Sequence, residues 1–220
     1  MVGFSVAIAM VLGTALALFF SLKLRGSSIV RAIMTLPMLI TPIVVGVMWR
    51  ALLNPDWGIV NWAMAEVHLP PVNWLGSTDW AIRTLVMVDV WQWTPFVFVI
   101  VFARLQSLPV EVFEAAQVDG APRLAQLRWI TLPLLAPAIA LAAIIRGIDA
   151  FRSFDLVYGL SYGGPARAST TLSFLDYQNG FDFQSYGYAA AIAYVMVVIL
   201  VIATTVLLRL VRVRREDAMQ

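Results

Sequence analysis

The stretch VGFSVAIAMVLGTALALFFSL, Val2 to Leu22, contains no charged residue and is long enough as a helix to cross a bilayer. Because it lacks the charged start and short apolar core of a signal peptide, we predict that it is a permanent membrane span. Four more apolar runs follow it along the chain: Ala32–Trp49, Thr84–Ala103, Trp129–Ile145 and Tyr186–Leu208. None of the runs alternates as a transmembrane strand does, and their number argues against a soluble all-α protein. The sequence therefore predicts an all-α, polytopic membrane helical bundle with five spans.

Charged residues are scarce, at 13% of the 220 residues, whereas 61% are hydrophobic. A soluble domain has about 25% charged residues, so an ordinary hydrated surface is excluded. The absence of cysteine excludes disulfides and thiolate metal sites, and a net charge of +2 is too small to indicate a nucleic-acid partner. The one histidine, His68, has no metal-ligand or nucleophile spacing around it, so we expect neither a metal site nor a catalytic residue.

The chain also lacks a phosphate-binding loop of the Gly-x4-Gly-Lys-Ser/Thr type, and no cofactor is expected. The chain therefore cannot hydrolyse ATP itself in the usual way, and we expect the energy for any transport to come from a separate subunit or from an ion gradient. An ion-coupled secondary transporter and an intramembrane enzyme remain alternatives at this point. The first often shows internal repeats, which are not visible here, and the second requires clustered acids or a nucleophile.

Lysine and arginine are unevenly distributed between the two sides of the predicted bundle. Such residues concentrate at the cytoplasmic ends of spans, and ten of the fifteen lie on one side. That side, which includes the C-terminus, is predicted to be cytoplasmic. The opposite side has two outer loops, 51–83 and 151–185, and the tryptophans of the first indicate the membrane interface or contact with an external partner. The ten cationic residues are Lys23, Arg25, Arg31, Arg104, Arg123, Arg128, Arg209, Arg212, Arg214 and Arg215.

A charged module, PVEVFEAAQVDGAPRLAQLRWITLP (Pro109–Pro133), lies on the predicted cytoplasmic side. Its first proline suits the first turn of a helix, where Glu111 is favoured by the helix dipole. The helix is predicted to run through Val118 and to stop at Gly120, because glycine adopts a left-handed terminating conformation cheaply. Pro122 can begin a second helix that leads into the fourth span. The module is thus predicted to be a short helix, a sharp turn and a return to the membrane.

The pattern Glu-Ala-Ala, three residues, Gly120, nine residues, then Ile130-Thr-Leu-Pro133 resembles the signature of ABC-importer permeases. Other segments are similar to the maltose-type, sugar-importing branch of that family, and together they cover nearly the whole chain. They are Arg31-Ala32, Leu36-Pro37, Asn54–Gly58, Asn73–Gly76, Trp91, Thr94–Phe96, Leu105-Gln106, Phe151, Phe154-Asp155, Tyr158, Gly163–Pro165 and Gly187–Ala189.

The resemblance implies one transmembrane permease domain, 1–220, with a cytoplasmic coupling loop, 107–133. It implies that an ATPase subunit would be contacted by Glu114, Ala115, Ala116, Asp119 and Gly120. The implied partners are a second homologous permease in a heterodimer, two cytoplasmic ATP-binding subunits and an extracytoplasmic sugar-binding protein. The implied location is a bacterial or archaeal cell membrane. Family members usually carry one more N-terminal helix, so we expect the family's first helix to be missing from this chain.

Two polar stripes are the candidate contacts for a carbohydrate: a sugar, an oligosaccharide or a polyol. Asp89 lies inside a span and shares a helical face with Gln92, Trp93 and Phe96, which together offer hydroxyl acceptors, donors and stacking rings. The fourth span continues into a similar stripe, Arg146, Asp149 and Ser153. Both stripes resemble the positions at which maltose-type permeases contact substrate. The alternatives are structural: a buried hydrogen bond from Asp89 to a neighbouring helix, and an ion pair of Arg146 with Asp149 one turn apart.

Overall fold

The computed structural model describes residues 1–21 and 27–217, and this part of the chain is helical with no strand. Leu22, Lys23 and Arg25 lie outside the described residues, as do the side chains of residues 27, 207 and 210–217. The helices are α1 (Val2–Phe20), α2 (Ser27–Thr35), α3 (Pro42–Leu52), α4 (Ile59–Glu66), α5 (Thr78–Gln106), α6 (Val110–Val118), α7 (Arg123–Gln126), α8 (Leu132–Phe151), α9 (Asp155–Leu160), α10 (Leu172–Tyr177) and α11 (Tyr186–Asp217).

Four helical segments in the described ranges are long and apolar enough to cross a membrane: Val2–Phe20, Thr78–Gln106, Arg123–Phe151 and Tyr186–Val206. Each contains most or all of one predicted span. A helix pair that bends by 100° between Leu39 and Pro42 supplies a fifth if it is counted as one span. The prediction of an all-α polytopic membrane bundle is confirmed, and the described residues supply four to five apolar helices where five spans were predicted.

The predicted second span, Ala32–Trp49, is not one straight helix. Helix α2 passes into a 3-10 turn, Leu36–Leu39, after which Ile40 and Thr41 are extended (ψ 135° and 138°) and α3 begins at Pro42. A residue that precedes proline is driven out of the helical region by contact with the proline ring, which explains the break at Thr41. The hydropathy pattern detected the apolar run but could not show that its two halves point in different directions.

The predicted fourth span, Trp129–Ile145, is the middle of a longer helical segment. Helix α7 continues through a π turn, Leu127–Thr131, into α8, so the segment runs from Arg123 to Phe151. The second helix predicted to begin at Pro122 is present, with Pro122 as the N-cap of α7 and Arg123 as its first residue. The wider turn next to Pro133 and Pro137 is consistent with the local adjustments by which spans accommodate prolines.

Helix α1 packs against α5 through small side chains. Its buried positions Ser5, Ala9, Gly13 and Ala17 recur every four residues and therefore form one stripe along the helix. Without an aqueous hydrophobic effect, membrane helices associate through close packing, which small residues permit. The approach is closest at Gly13, where an added Cβ would lie 2.6 Å from the Cβ of Val97.

A second close crossing joins α3 to α9. A Cβ added at Gly159 would lie 2.6 Å from the Ile43 carbonyl oxygen, and one at Gly46 would lie 2.8 Å from the Leu160 nitrogen. Beside the crossing, Leu85, Val88 and Phe174 are fully buried in a shared apolar cluster. This crossing attaches the second half of the bent span to the segment that follows α8.

We predict that Gly13→Leu separates α1 from α5 and lowers the melting temperature of the purified protein in detergent. Overpacking of a close contact typically costs about 1–3 kcal/mol. Gly3→Leu is the matched control, because it adds the same side chain to the same helix where nothing lies within 4 Å of an added Cβ. Equal melting temperatures for the two variants would contradict the close α1–α5 packing.

Candidate transport site and docking loop

A buried arginine joins α5 to α8 in the interior of the bundle. The Nη2 group of Arg146 donates to Oδ2 of Asp89, and both side chains are at most 2% exposed. The Nη1 group of Arg146 donates to Oδ2 of Asp149 at 2.9 Å, and the Asp149 side chain is half exposed. The guanidinium carbon lies 5.1 Å from the centre of the Trp93 ring. One guanidinium therefore contacts two carboxylates and an aromatic face, and both structural alternatives foreseen for these residues are realised in the same cluster.

The cluster has one closed side and one open side. Asp89 and Arg146 are each 1% exposed, so neither can contact a ligand without a change in helix packing. The half-exposed carboxylate of Asp149 and the partly exposed ring of Trp93 form the accessible side. A charge in an apolar interior is stable only when it is paired and hydrogen-bonded. Asp89 and Arg146 thus hold each other in place and orient Asp149 and Trp93.

Gln92 does not join this cluster, although it lies one turn from Asp89 on α5. Its side chain is fully buried, and its Nε2 group donates to the Ile40 carbonyl oxygen at 2.9 Å. Ile40 lies at the break of the bent span, where regular helical hydrogen bonding stops. Backbone groups freed inside a membrane must find partners within the protein, and Gln92 supplies one. Its Oε1 atom is buried without a hydrogen-bond partner among the described residues.

The remaining candidate residues lie around the open side. The Phe96 ring meets the Trp93 ring edge-on, with 6.2 Å between their centres, and it also packs against the apolar cluster that contains Val97 and Val101. Ser153 follows Asp149 by one turn, just beyond the end of α8, and its carbonyl oxygen accepts a hydrogen bond from the Thr171 hydroxyl at 2.9 Å. The structure therefore groups Asp89, Trp93, Arg146 and Asp149 closely, with Phe96 beside them and Ser153 at the outer edge.

The charged module has the local structure predicted for it. Helix α6 ends at Val118, Gly120 has φ +73°, and the two closing bonds are Gly120 N–H to the Gln117 carbonyl (3.0 Å) and Ala121 N–H to the Ala116 carbonyl (2.9 Å). This is the Schellman arrangement, which satisfies the last carbonyls of a helix. Pro109 is the N-cap and not the first helical residue, a shift of one position from the prediction.

Helix α6 has an anchored face and a free face. Leu108 and Ala116 are buried, and Phe113 packs with Leu108 against the apolar cluster that contains Val97 and Val101. The residues that point outward are Glu111, Glu114, Ala115, Asp119 and Gly120, all of them exposed. A short helix is thus fixed to the bundle on one side and presents a carboxylate and a small side chain on the other.

The sequence pattern predicted no structural role for two residues of this region, Arg104 and Phe113. Arg104, at the end of α5, donates from Nε to the Leu134 carbonyl and from Nη1 to the Ser107 hydroxyl, both at 3.3 Å. It therefore ties the start of the loop to α8. Phe113 fixes α6 to the bundle, and the signal for it was available, because Phe113 is the one aromatic residue of the predicted helix 109–118.

The sequence over residues 6–216 matches the family described as "Binding-protein-dependent transport system inner membrane component". The chain belongs to this family, so it is a transport component of a membrane and spans it several times. It is a permease subunit and not an enzyme.

Named relatives agree with this assignment. The chain is 37% identical to the trehalose/maltose transport system permease protein of Thermococcus litoralis, over 96% of this chain and 72% of that protein. It is 32% identical to the sulfoquinovosyl glycerol transport system permease protein of Agrobacterium fabrum, over 94% of this chain and 67% of that protein. Among solved structures, a chain of a bacterial alginate ABC transporter in complex with a pentasaccharide-bound periplasmic protein superimposes with a TM-score of 0.84, at 25% identity, over 94% of this chain and 73% of that one.

We predict that Arg146→Met destabilises the purified protein strongly, because it leaves Asp89 buried without a counter-charge. Removing one partner of a buried pair typically costs about 3–5 kcal/mol. The double variant Asp89→Leu with Arg146→Met removes both charges and should recover much of the loss in melting temperature. A double variant that is no more stable than Arg146→Met alone would show that the pair is not the source of the stability.

Proposed function

We propose that this chain is the membrane-spanning subunit of an ATP-driven importer for a carbohydrate, in which residues 1–220 form one permease domain. Its partners would be a second permease, two cytoplasmic ATP-binding subunits and an extracytoplasmic sugar-binding protein. The single observation that carries the proposal is the exposed Glu114-Ala115 face of α6, which is anchored to the spans from behind. The segment 107–133 is the proposed coupling loop.

A carbohydrate substrate is supported by two independent observations. Relatives at 37% and 32% identity are named for trehalose/maltose and sulfoquinovosyl glycerol transport. The open side of the ion cluster offers a carboxylate, Asp149, beside the ring of Trp93, and sugars are bound by hydroxyl acceptors together with aromatic faces. Phe96 and Ser153 would border the same site. In this assignment Asp89 and Arg146 position the contacting groups, and Gln92 holds the bent span.

Coupling is proposed to pass from α6 to the spans through rigid contacts. Glu114, Ala115, Asp119 and Gly120 would contact the ATPase, with Ala116 packed behind them. When the ATPase pair closes, α6 moves, and Phe113 together with the Arg104 hydrogen bonds transmits that motion to α5 and α8. These two helices carry the ion cluster, so their displacement would alternate access to the sugar site.

The proposed orientation follows from the distribution of cationic side chains. Arg104, Arg123 and Arg128 border the coupling loop, and positively charged residues favour the cytoplasmic side. The C-terminus lies on the same side in this assignment. The outer side then holds α4, α9 and α10, where Trp57 and Trp62 are more than 60% exposed and available to the membrane interface or to the binding protein.

We predict that Glu114→Lys abolishes sugar uptake and co-purification of the ATPase subunit while membrane insertion is retained. The exposed carboxylate has no structural partner in the described chain, so its reversal should affect docking and not folding. Glu66→Lys, at the end of α4 on the opposite side, is the matched charge reversal and should leave ATPase co-purification intact. Normal uptake by Glu114→Lys would refute the coupling assignment, and uptake without any ATPase would indicate an ion-coupled transporter.

We predict that Asp149→Asn raises the half-saturating sugar concentration for uptake while the melting temperature changes little. A hydrogen bond to a charged group contributes about 1.5–3 kcal/mol, equivalent to roughly a tenfold or larger effect. Stability should be retained because Asp89 still pairs with Arg146. Asp79→Asn, an exposed carboxylate in the first turn of α5, is the control. An unchanged concentration dependence in Asp149→Asn would exclude this carboxylate as a sugar contact.

A further inference from the structure

A cavity of about 330 Å³ lies between α10, the π turn that follows it and the start of α11. It belongs neither to the ion cluster nor to the coupling loop. Three aromatic rings form a continuous wall: Phe154 and Tyr177 have centroids 4.9 Å apart, and Tyr177 and Phe181 are stacked at 5.1 Å with 25° between their planes. All three residues line the cavity. Its volume is at the lower end of the range for small-ligand sites.

Two polar side chains line the same cavity without partners. Asp176 is partly buried, and its carboxylate makes no hydrogen bond or ion pair with the described residues. The Ser173 hydroxyl is buried and likewise has no partner there. Buried polar groups are normally hydrogen-bonded, so the unpaired Ser173 hydroxyl indicates a missing partner, and the partly exposed Asp176 carboxylate beside the same cavity is also unpaired among the described residues. Together with the three aromatic rings, Asp176 and Ser173 place two unpaired polar groups at one apolar cavity.

This combination favours an uncharged polyhydroxylated ring. Such a ring has one face of C–H groups that packs on an aromatic wall, and hydroxyls at its rim that donate to a carboxylate. A phosphate-bearing lipid headgroup is disfavoured because no basic side chain of the described residues lines the cavity and Asp176 would repel it. The rings pack in a row and do not enclose a point, which fits a ring-shaped ligand better than a compact ammonium group.

The cavity is mechanically connected to the end of α8. Thr171 caps α10 by accepting the Phe174 N–H at 3.3 Å and donates its hydroxyl to the Ser153 carbonyl at 2.9 Å. Ser153 lies one turn beyond Asp149, so the helix that carries Ser173 and Asp176 is hydrogen-bonded to the outer edge of the proposed sugar site. The cavity is thus attached to the outer end of that site.

We propose that this cavity is a second carbohydrate subsite, which receives one sugar ring on the outer side before it passes to the ion cluster. The inference rests on the proposed function for its substrate class and for its orientation. Gly180 is decisive for the shape, because it is buried and lines the cavity without a side chain. A Cβ added there would lie 3.5 Å from the Ala189 Cβ, which is an ordinary contact.

Uptake of maltose, trehalose, lactose and xylose is measured first in proteoliposomes that contain the assembled transporter, supplied with ATP and the binding protein. Saturation-transfer NMR then follows binding of the sugar that is taken up to the assembled transporter in nanodiscs without its binding protein. Gly180→Leu fills the cavity, and Asp176→Asn removes the carboxylate without changing its size. Each variant should weaken binding about tenfold or more. Gly187→Leu is the matched control, because nothing lies within 4 Å of a Cβ added there, and it should bind as the unaltered protein does.

The outcomes separate this inference from the proposed function. Binding that survives in Asp149→Asn but is lost in both cavity variants supports a second subsite. Uptake that proceeds while both cavity variants bind sugar normally overturns the subsite and leaves the proposed function intact. A transporter that takes up none of the four sugars contradicts the proposed function itself. Saturation transfer to phosphorylethanolamine, lost in the cavity variants while sugar shows none, would assign the cavity to a lipid headgroup and overturn the proposal.

Discussion

The contact of Arg146 with two carboxylates is the constraint on which the interior of this bundle depends. An unpaired charge is too costly in an apolar interior, so α5 and α8 must approach in the one register that brings Asp89 to the guanidinium. Once they do, Asp149 and Trp93 are oriented as a consequence. The same contact that fixes the helix packing therefore also defines the open side at which a ligand could be bound.

In this protein the backbone departs from regular helix where a neighbouring group can hydrogen-bond to the backbone groups that are left unpaired. The bent span is free to break at Ile40 because Gln92 reaches its carbonyl oxygen, and α6 is free to stop at Gly120 because two closing hydrogen bonds satisfy its last turn. The break lies within the bent span, and the stop lies in the proposed coupling loop. Each feature creates a polar position that a straight helix could not provide, and the two regions are linked through α5, which carries Gln92 at its middle and Arg104 at its end.

Rules that depend on the local sequence predicted the local features well, but they predicted the tertiary contacts poorly. The left-handed stop at Gly120 and the start at Pro122 follow from intrinsic backbone preferences, and the apolar runs follow from the thickness of the bilayer. The pairing of Asp89 with Arg146 joins residues 57 positions apart and depends on how two helices pack, which no periodicity encodes. For the same reason Gln92 was grouped with Asp89 by its spacing, although its side chain turns toward another helix. To predict the direction of the bent span, one would have needed the tertiary contacts of both of its halves, which the sequence does not show.

The stripe of small residues on α1 gives that helix two faces with different tolerance to change. At Ser5, Ala9, Gly13 and Ala17 the neighbouring helix is so close that inherited variation must remain within the smallest side chains. On the opposite face Phe4 is 75% exposed and Val11 is 69% exposed, so any apolar residue that suits its surroundings can replace them. In related chains, positions of low sequence variation in α1 should therefore recur every four residues. That spacing would identify the packing face of the helix even where no structure has been determined.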